Sequence, residues 1–226
     1  MINYKQLIAT TLLSSVALSS AFAQDSKDFF VQLNVGGVNS LSSTATSQYD
    51  PSSKTTGSAG TTSTIGIEAG TQINQYFSTN LSFDYLPNFC NSRDYKFDNV
   101  KVGSLTIEGE SIVTMLNLSA NIGSLGRFTP YVTAGIGYAK NTFKTRETVY
   151  SSNYYSSEDS TNNFAYKLGL GTKISLTESF DLDFRYQFMD LGKYKTGSYK
   201  IGQHNYGSYK GNLRTNELMA GIAYKF

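Results

Sequence analysis

The sequence predicts an all-β fold, an eight-stranded antiparallel up-and-down transmembrane β-barrel with four long external loops and short periplasmic turns. Three observations lead there. Apolar and polar residues alternate with period two along nearly the whole chain, while the helical period is weak throughout. The connections between the alternating segments are by turns long and short, as in barrels that cross a membrane. Beyond the N-terminal stretch, no apolar run approaches the roughly 20 residues that a spanning helix needs.

Composition points the same way. Of 226 residues, 39% are hydrophobic and 16% charged, and Tyr 17, Phe 14 and Gly 20 stand against Pro 3 and no Trp. Such a mixture favours strands and turns over helices. The formal net charge of +2 gives no electrostatic footprint for nucleic acid. One Cys and one His exclude an internal disulfide and a Cys-based metal cluster, and they argue against most His-dependent centres. No cofactor and no metal are expected.

Residues 1–23 read as a signal peptide: Lys5 precedes an apolar stretch from Leu7 to Leu18, and Ala21-Phe22-Ala23 is a small-residue cleavage site. The alternative is an N-terminal membrane anchor, for which the apolar run is short. The expected mature chain, 24–226, is then one barrel domain beginning at Gln24. A Gln there, rather than a Cys, argues against a lipoprotein, and no peptidoglycan-binding domain is expected after Phe226.

The strands follow in order. Val31, Leu33 and Val35 alternate with Gln32, Asn34 and Gly36; Ile65, Ile67, Ala69 and Ile73 alternate with Gly66, Glu68, Gly70 and Gln72. Phe77, Leu81, Phe83 and Tyr85 oppose Ser78, Asn80, Ser82 and Asp84, and Leu116, Leu118, Ala120 and Ile122 oppose Met115, Asn117, Ser119 and Asn121. The fifth strand sets Val132, Ala134, Ile136 and Tyr138 against Tyr131, Thr133, Gly135 and Gly137. In the sixth, Tyr166, Leu168, Leu170 and Ile174 stand against Lys167, Gly169, Gly171 and Lys173. Phe180, Leu182, Phe184, Tyr186 and Phe188 alternate with Asp181, Asp183, Arg185, Gln187 and Met189. The last strand sets Leu218, Ala220, Ile222, Tyr224 and Phe226 against Glu217, Met219, Gly221, Ala223 and Lys225.

Links 40–62, 87–111, 141–163 and 190–212 are long and polar, whereas those near 74–76, 123–127 and 177–179 take a few residues. Two soluble alternatives share the alternation: a lipocalin-like barrel with its apolar side chains inward, and a β-sandwich. The polar face carries Glu68, Asp84, Lys167, Lys173, Asp181, Asp183, Arg185 and Glu217 among glycines and serines, which suits a narrow lumen. The chain closes on Ile222, Tyr224 and Phe226 on one face, similar to the C-terminal signature by which the barrel-assembly machinery recognises outer-membrane barrels.

An interior of eight strands is filled by side chains, so a wide diffusion pore is not expected. Counting back from the 177–179 turn places Lys173 opposite Asp183 and Gly171 opposite Arg185. The expectation is a cross-strand ion pair within a charge network that plugs the lumen, because an unpaired buried charge costs several kcal/mol. A narrow porin-like channel is the alternative. The lone His204 lies between Gln203 and Asn205 with no recognisable catalytic motif, so no enzyme is expected. Cys90 is expected to be a free thiol at the base of the second long link.

The fourth link is the most distinctive. Lys193, Tyr194, Lys195, Tyr199, Lys200, Tyr206, Tyr209 and Lys210 interleave, and Gly-Ser-Tyr-Lys occurs at both 197–200 and 207–210. Tyrosine brings large contact area at low entropic cost, and lysine attracts anionic partners. The expected partner is an acidic patch or a sulfated glycan on a host surface. The alternative is contact with lipopolysaccharide phosphates by the lysines, with the tyrosines joining the interfacial girdle.

The segments Phe128–Tyr138, Asn163–Gly171, Phe184–Gly192 and Leu218–Ile222 resemble the eight-stranded outer-membrane barrels of the OmpA/OmpX/opacity-protein type, over essentially all of 24–226. Within that group NFAYKLGLGT, DLGKYK and NELMAGI look most like the Adr family of rickettsial surface adhesins. The resemblance implies a monomeric surface protein of a Gram-negative outer membrane, in contact with lipid and lipopolysaccharide, binding host or serum proteins through its loops.

Overall fold

Backbone N–H and C=O groups find no water in the hydrocarbon of a bilayer, so strands can cross it only by pairing into a closed ring. The computed structural model, which describes residues 29–41, 43–47, 54–98, 100–149, 152–201, 204–206 and 208–226, has that ring. The expected leader, 1–23, lies outside the described residues. In chain order the strands are β1 (Phe29–Ser40), β2 (Ser43–Ser47), β3 (Lys54–Gly57), β4 (Thr61–Gln72), β5 (Phe77–Phe97), β6 (Val100–Asn121) and β7 (Phe128–Val149). They continue as β8 (Ser152–Tyr155), β9 (Asp159–Ser175), β10 (Phe180–Lys195), β11 (Tyr199–Ile201), β12 (His204–Tyr206) and β13 (Tyr209–Lys225).

Eight of these make the wall, in the antiparallel order β1-β4-β5-β6-β7-β9-β10-β13, and β13 pairs back onto β1 to close it. The short strands are accessories: the β2–β3 hairpin hangs from the outer end of β13, β8 pairs with β7, and β11–β12 is a separate small hairpin. Tight turns at 74–76, 122–127 and 176–179 join the wall strands at the end where β1 begins and β13 ends. The first is held by Asn74, whose Oδ1 accepts from the backbone N–H of Tyr76 and Phe77 at 2.8 and 2.9 Å.

Every face assigned by alternation points as a membrane barrel requires. Leu33, Val35, Ile65, Leu81, Leu116, Leu118, Ile136, Leu168, Leu170, Phe184 and Leu218 turn outward, while Gln32, Asn34, Glu68, Ser82, Asp84, Asn117, Asp183 and Gln187 are buried inside. A lipocalin-like soluble barrel would have the reverse polarity, and a sandwich would leave the ring open. At the turn end the outward rings of Phe180, Tyr224, Phe226 and Phe29 form a chain of contacts with centroids 5.1, 4.9 and 6.1 Å apart. Such aromatic residues sit at the headgroup level of barrels.

The lumen is narrow enough that large inward side chains lie against glycines of the neighbouring strand. A Cβ on Gly171 would stand 2.7 Å from Tyr131 Oη, and Gly66 leaves the space taken by Asp84.

One expectation changes in detail. The links 87–111 and 141–163 are mostly strand rather than open loop: β5 and β6 run on for 21 and 22 residues, and β7 for 22, well past the apolar belt. Val, Thr, Phe and Tyr recur in these links, and pairing the hairpin strands with one another satisfies their backbone groups.

Candidate functional site

The interior divides into two levels along the barrel axis. Nearer the turns it is polar. Arg185 on β10 reaches across the lumen to β4, where its Nη2 donates to Glu68 Oε1 at 2.6 Å, and both side chains are buried. Asp183 Oδ2 accepts from the Tyr131 hydroxyl at 2.6 Å. Glu217 accepts from Gln187 Nε2 at 2.8 Å and from the Thr215 hydroxyl at 2.9 Å. Neutral amides continue the lining, with Asn117 Nδ2 donating to Asn80 Oδ1 at 2.6 Å and Gln32 Nε2 to Asn34 Oδ1 at 2.7 Å.

The counted register is the one observed: Lys173 stands opposite Asp183, and Gly171 opposite Arg185. The expected ion pair between Lys173 and Asp183 does not form. Lys173 Nζ instead lies 5.2 Å from the ring centroid of Phe30 and 5.5 Å from that of Tyr131, and Asp183 takes the tyrosine hydroxyl. Facing Cα positions do not bring side-chain tips together when a large ring from a third strand lies between them. The charge network is correspondingly sparser than expected. Glu68–Arg185 is its one fully buried ion pair among the described residues, Lys225–Asp181 closes at 2.9 Å near the turns, and Asp84 and Lys167 are buried without a direct hydrogen bond.

Below this layer, at the turn end, a cavity of about 190 Å³ is lined in part by Gln32, Gln72, Asn121, Lys173 and Asp181.

Toward the long connections the interior holds an apolar cluster beside the bonded, buried pair Ser111 and Asn141, which the alternation did not reveal. Val38, Leu86, Phe89, Val113, Met115, Ala139, Phe143, Met189, Leu191, Tyr194 and Leu213 pack into one buried cluster. Phe89, Phe143 and Tyr194 stack in a row, with centroids 6.0 and 4.8 Å apart. Two β-bulges build it. Strict alternation along β5 would turn Asn88 inward and Phe89 outward, but the register shifts between Leu86 and Phe89, with Asn88 at φ 56°. Likewise β10 shifts between Asp190 and Lys193, with Gly192 at φ 75°. One extra residue inverts the facing of all that follow. Gly192 near the end of a strand pattern is the signal that could have exposed this.

The second bulge corrects the candidate loop. Tyr194 is 5% exposed and belongs to the interior cluster, so it is withdrawn from the ligand-facing set. Lys193 is turned outward instead, with its backbone N–H held by Asn163 Oδ1 at 3.0 Å. Lys195 is tied to Asp159 at 3.1 Å, and Lys210 is exposed at the position opposite it. Tyr209 is half-buried and pairs through its backbone with Ser47. Tyr199, Lys200 and Tyr206 lie on the β11–β12 hairpin, where His204 faces Ile201; their side chains are outside the described residues. Cys90 is a free, exposed thiol on the extended part of β5. Ile222, Tyr224 and Phe226 face outward at the end of β13.

Among the described residues no helix is long and apolar enough to cross a membrane, and no cluster of His, Cys, Asp and Glu could hold a metal ion. A closed ring with apolar residues outside, polar ones inside and an aromatic edge defines a transmembrane β-barrel. The chain belongs to the outer membrane protein beta-barrel domain family, whose model matches residues 8–226. It is therefore a protein of the Gram-negative outer membrane, with its long connections at the cell surface.

Among curated proteins it is 31% identical over 110 residues to the outer membrane protein PagN of Salmonella typhimurium, a match spanning 44% of this chain and 43% of that protein's length. Among solved structures it is similar to OprG of Pseudomonas aeruginosa, with a TM-score of 0.54 and 17% identity over 89% of this chain and 99% of that one. It also resembles the outer membrane protease OmpT of Escherichia coli, with a TM-score of 0.55 and 7% identity over 88% and 97%. At these identities both structures speak for the fold alone.

Proposed function

We propose that the protein is a non-enzymatic surface adhesin, exported behind a leader of residues 1–23, which holds anionic host-surface or serum components with its outer hairpins. The observation that carries this reading is the sheet standing beyond the apolar belt. The outer parts of β5, β6 and β7 with β8 extend the wall, and β5 pairs with β4 only as far as Tyr85. Past that point residues 58–62 cover its edge as far as Asn91, the Thr62 hydroxyl donating to Pro87 O and Asn91 Nδ2 to Ser58 O. Beyond Asn91, among the described residues, that edge has no strand partner, and an unpaired edge can take an incoming strand. Beside the sheet, Lys193 and Lys210 are exposed cations, and Tyr155 is 64% exposed. They suit an acidic protein face or a sulfated glycan, and lipopolysaccharide phosphates share that chemistry. Ile222, Tyr224 and Phe226 would serve recognition by the barrel-assembly machinery. For catalysis, the sequence offers one histidine, His204 between Gln203 and Asn205, with no recognisable catalytic motif beside it.

The test is to change Lys193→Glu and Lys210→Glu together, and in a second variant to exchange residues 197–208 for a short Gly/Ser turn, which spares the buried Tyr194 and Thr196, and to measure binding of cells displaying each protein to host cells and to heparin beads. The expected result is a loss of at least tenfold. Full retention on both surfaces would overturn the role of this loop, and binding to lipopolysaccharide alone would favour the lipid-contact reading.

A further inference from the structure

We infer that the barrel is closed by the apolar cluster at its outer end rather than by the charges in its middle, so that the lumen is a blind polar well open to the periplasm. Three observations carry this.

The first is completeness. The cluster takes residues from seven of the eight wall strands: Val38 of β1, Leu86 and Phe89 of β5, Val113 of β6, Phe143 of β7, Ala165 of β9, Leu191 of β10 and Leu213 of β13. The eighth, β4, is covered by Ala59, just before its first residue. Leu86, Phe89, Val113, Phe143, Leu191 and Leu213 are each no more than 1% exposed.

The second is construction. Without the bulges at Asn88 and Gly192, strict alternation would turn Phe89 and Tyr194 to the outside and bring Asn88 and Lys193 inward. The two bulges thus exchange an amide and a charge for two rings, and these rings are the ones that stack on Phe143. A layer of this kind excludes water and ions because apolar side chains fill its section and its buried polar members, Ser111 and Asn141, are already bonded to each other and to the carbonyls of Leu191 and Lys193.

The third is the contrast with the other end. There, the cavity lined by Gln32, Gln72, Asn121, Lys173 and Asp181 is polar, and hydrogen bonds of neutral amides lead inward from it toward the Glu68–Arg185 pair.

Planar-bilayer recordings of the full protein test the assignment, with folding of each variant checked by its heat-modifiable gel migration. Wild type is expected to show no stepwise openings. Phe143→Ala, which removes the middle ring of the stack, is expected to open the barrel. Should that variant not fold, Leu86→Ala removes a smaller, fully buried side chain of the same layer and should also give openings. The double variant Glu68→Leu with Arg185→Met abolishes the central ion pair and is expected to stay closed. Openings in wild type, openings in the double variant with none in the apolar-layer variants, or silence of both folded apolar-layer variants would each overturn the inference.

Discussion

The polar and apolar levels of the interior are made by the same strands, yet different physics holds them together. In the polar level the bonded groups depend on named partners: Glu68 on Arg185, Tyr131 on Asp183, Gln187 on Glu217. A burial of this sort is tolerable only while the partner is present. In the apolar level no residue depends on a single other one, because dispersion and exclusion of water are spread over many contacts. The polar level should therefore fail sharply, residue by residue, and be repaired by changing both partners. The apolar level should fail in proportion to the volume removed.

The sharpest way to break that contrast is Glu68→Ala, which leaves the Arg185 guanidinium buried without its counter-charge. A loss of about 3–5 kcal/mol is expected, read as a lowered guanidinium midpoint for unfolding from lipid vesicles. The Glu68→Leu, Arg185→Met pair should recover most of it. If the double variant is as unstable as the single one, the polar level is not held by pairwise partners.

In the apolar level Leu191→Ala is expected to cost about 2–5 kcal/mol through the transfer and cavity terms. Here no second change at a single site should restore wild-type stability, except one that refills the volume. Recovery by a polar substitution at Leu213 would contradict a packing origin.

The smallest effect separates two accounts of Asp183. Its observed partner is the Tyr131 hydroxyl rather than Lys173, so Tyr131→Phe should destabilise by about 1–3 kcal/mol, the cost of leaving a buried acceptor unmatched. Lys173→Met should change little on this account. Thermal midpoints in detergent for the two variants decide it, and the reverse order would restore the Lys173–Asp183 pair.

How much of this was legible beforehand follows from which interactions are local. The outward set of Leu33, Ile65, Leu118, Leu170 and Phe184 and the inward set of Gln32, Glu68, Asp84 and Asp183 were readable, because a strand's side chains alternate whatever lies next to it. The pairing of Lys173 with Asp183 in register was readable as well, since a short turn sets the offset of the two strands it joins. Their failure to form an ion pair was not, because the ring that intervenes, Tyr131, comes from β7. Nor was the partner of Arg185, since Glu68 is 117 residues away and meets it only across the closed lumen.

The candidate loop shows the same division. Lys193 and Lys210 lie at the surface as their composition suggests, but Tyr194 does not. Its direction is set by the bulge at Gly192, and a bulge is selected by what the inverted side chain can pack against, here Phe143 on another strand.

Sequence alone therefore determined the strand count, the facing of each strand, the membrane-spanning character and the side of the long connections, all of which rest on a period that each strand carries by itself. Only the tertiary structure decided which charges meet across the lumen, that an apolar layer crosses the outer half of the interior, and that two rings turn inward to complete it. Those outcomes depend on distances between strands that are remote in the chain, and these exist only once β13 has paired with β1 and the ring has closed.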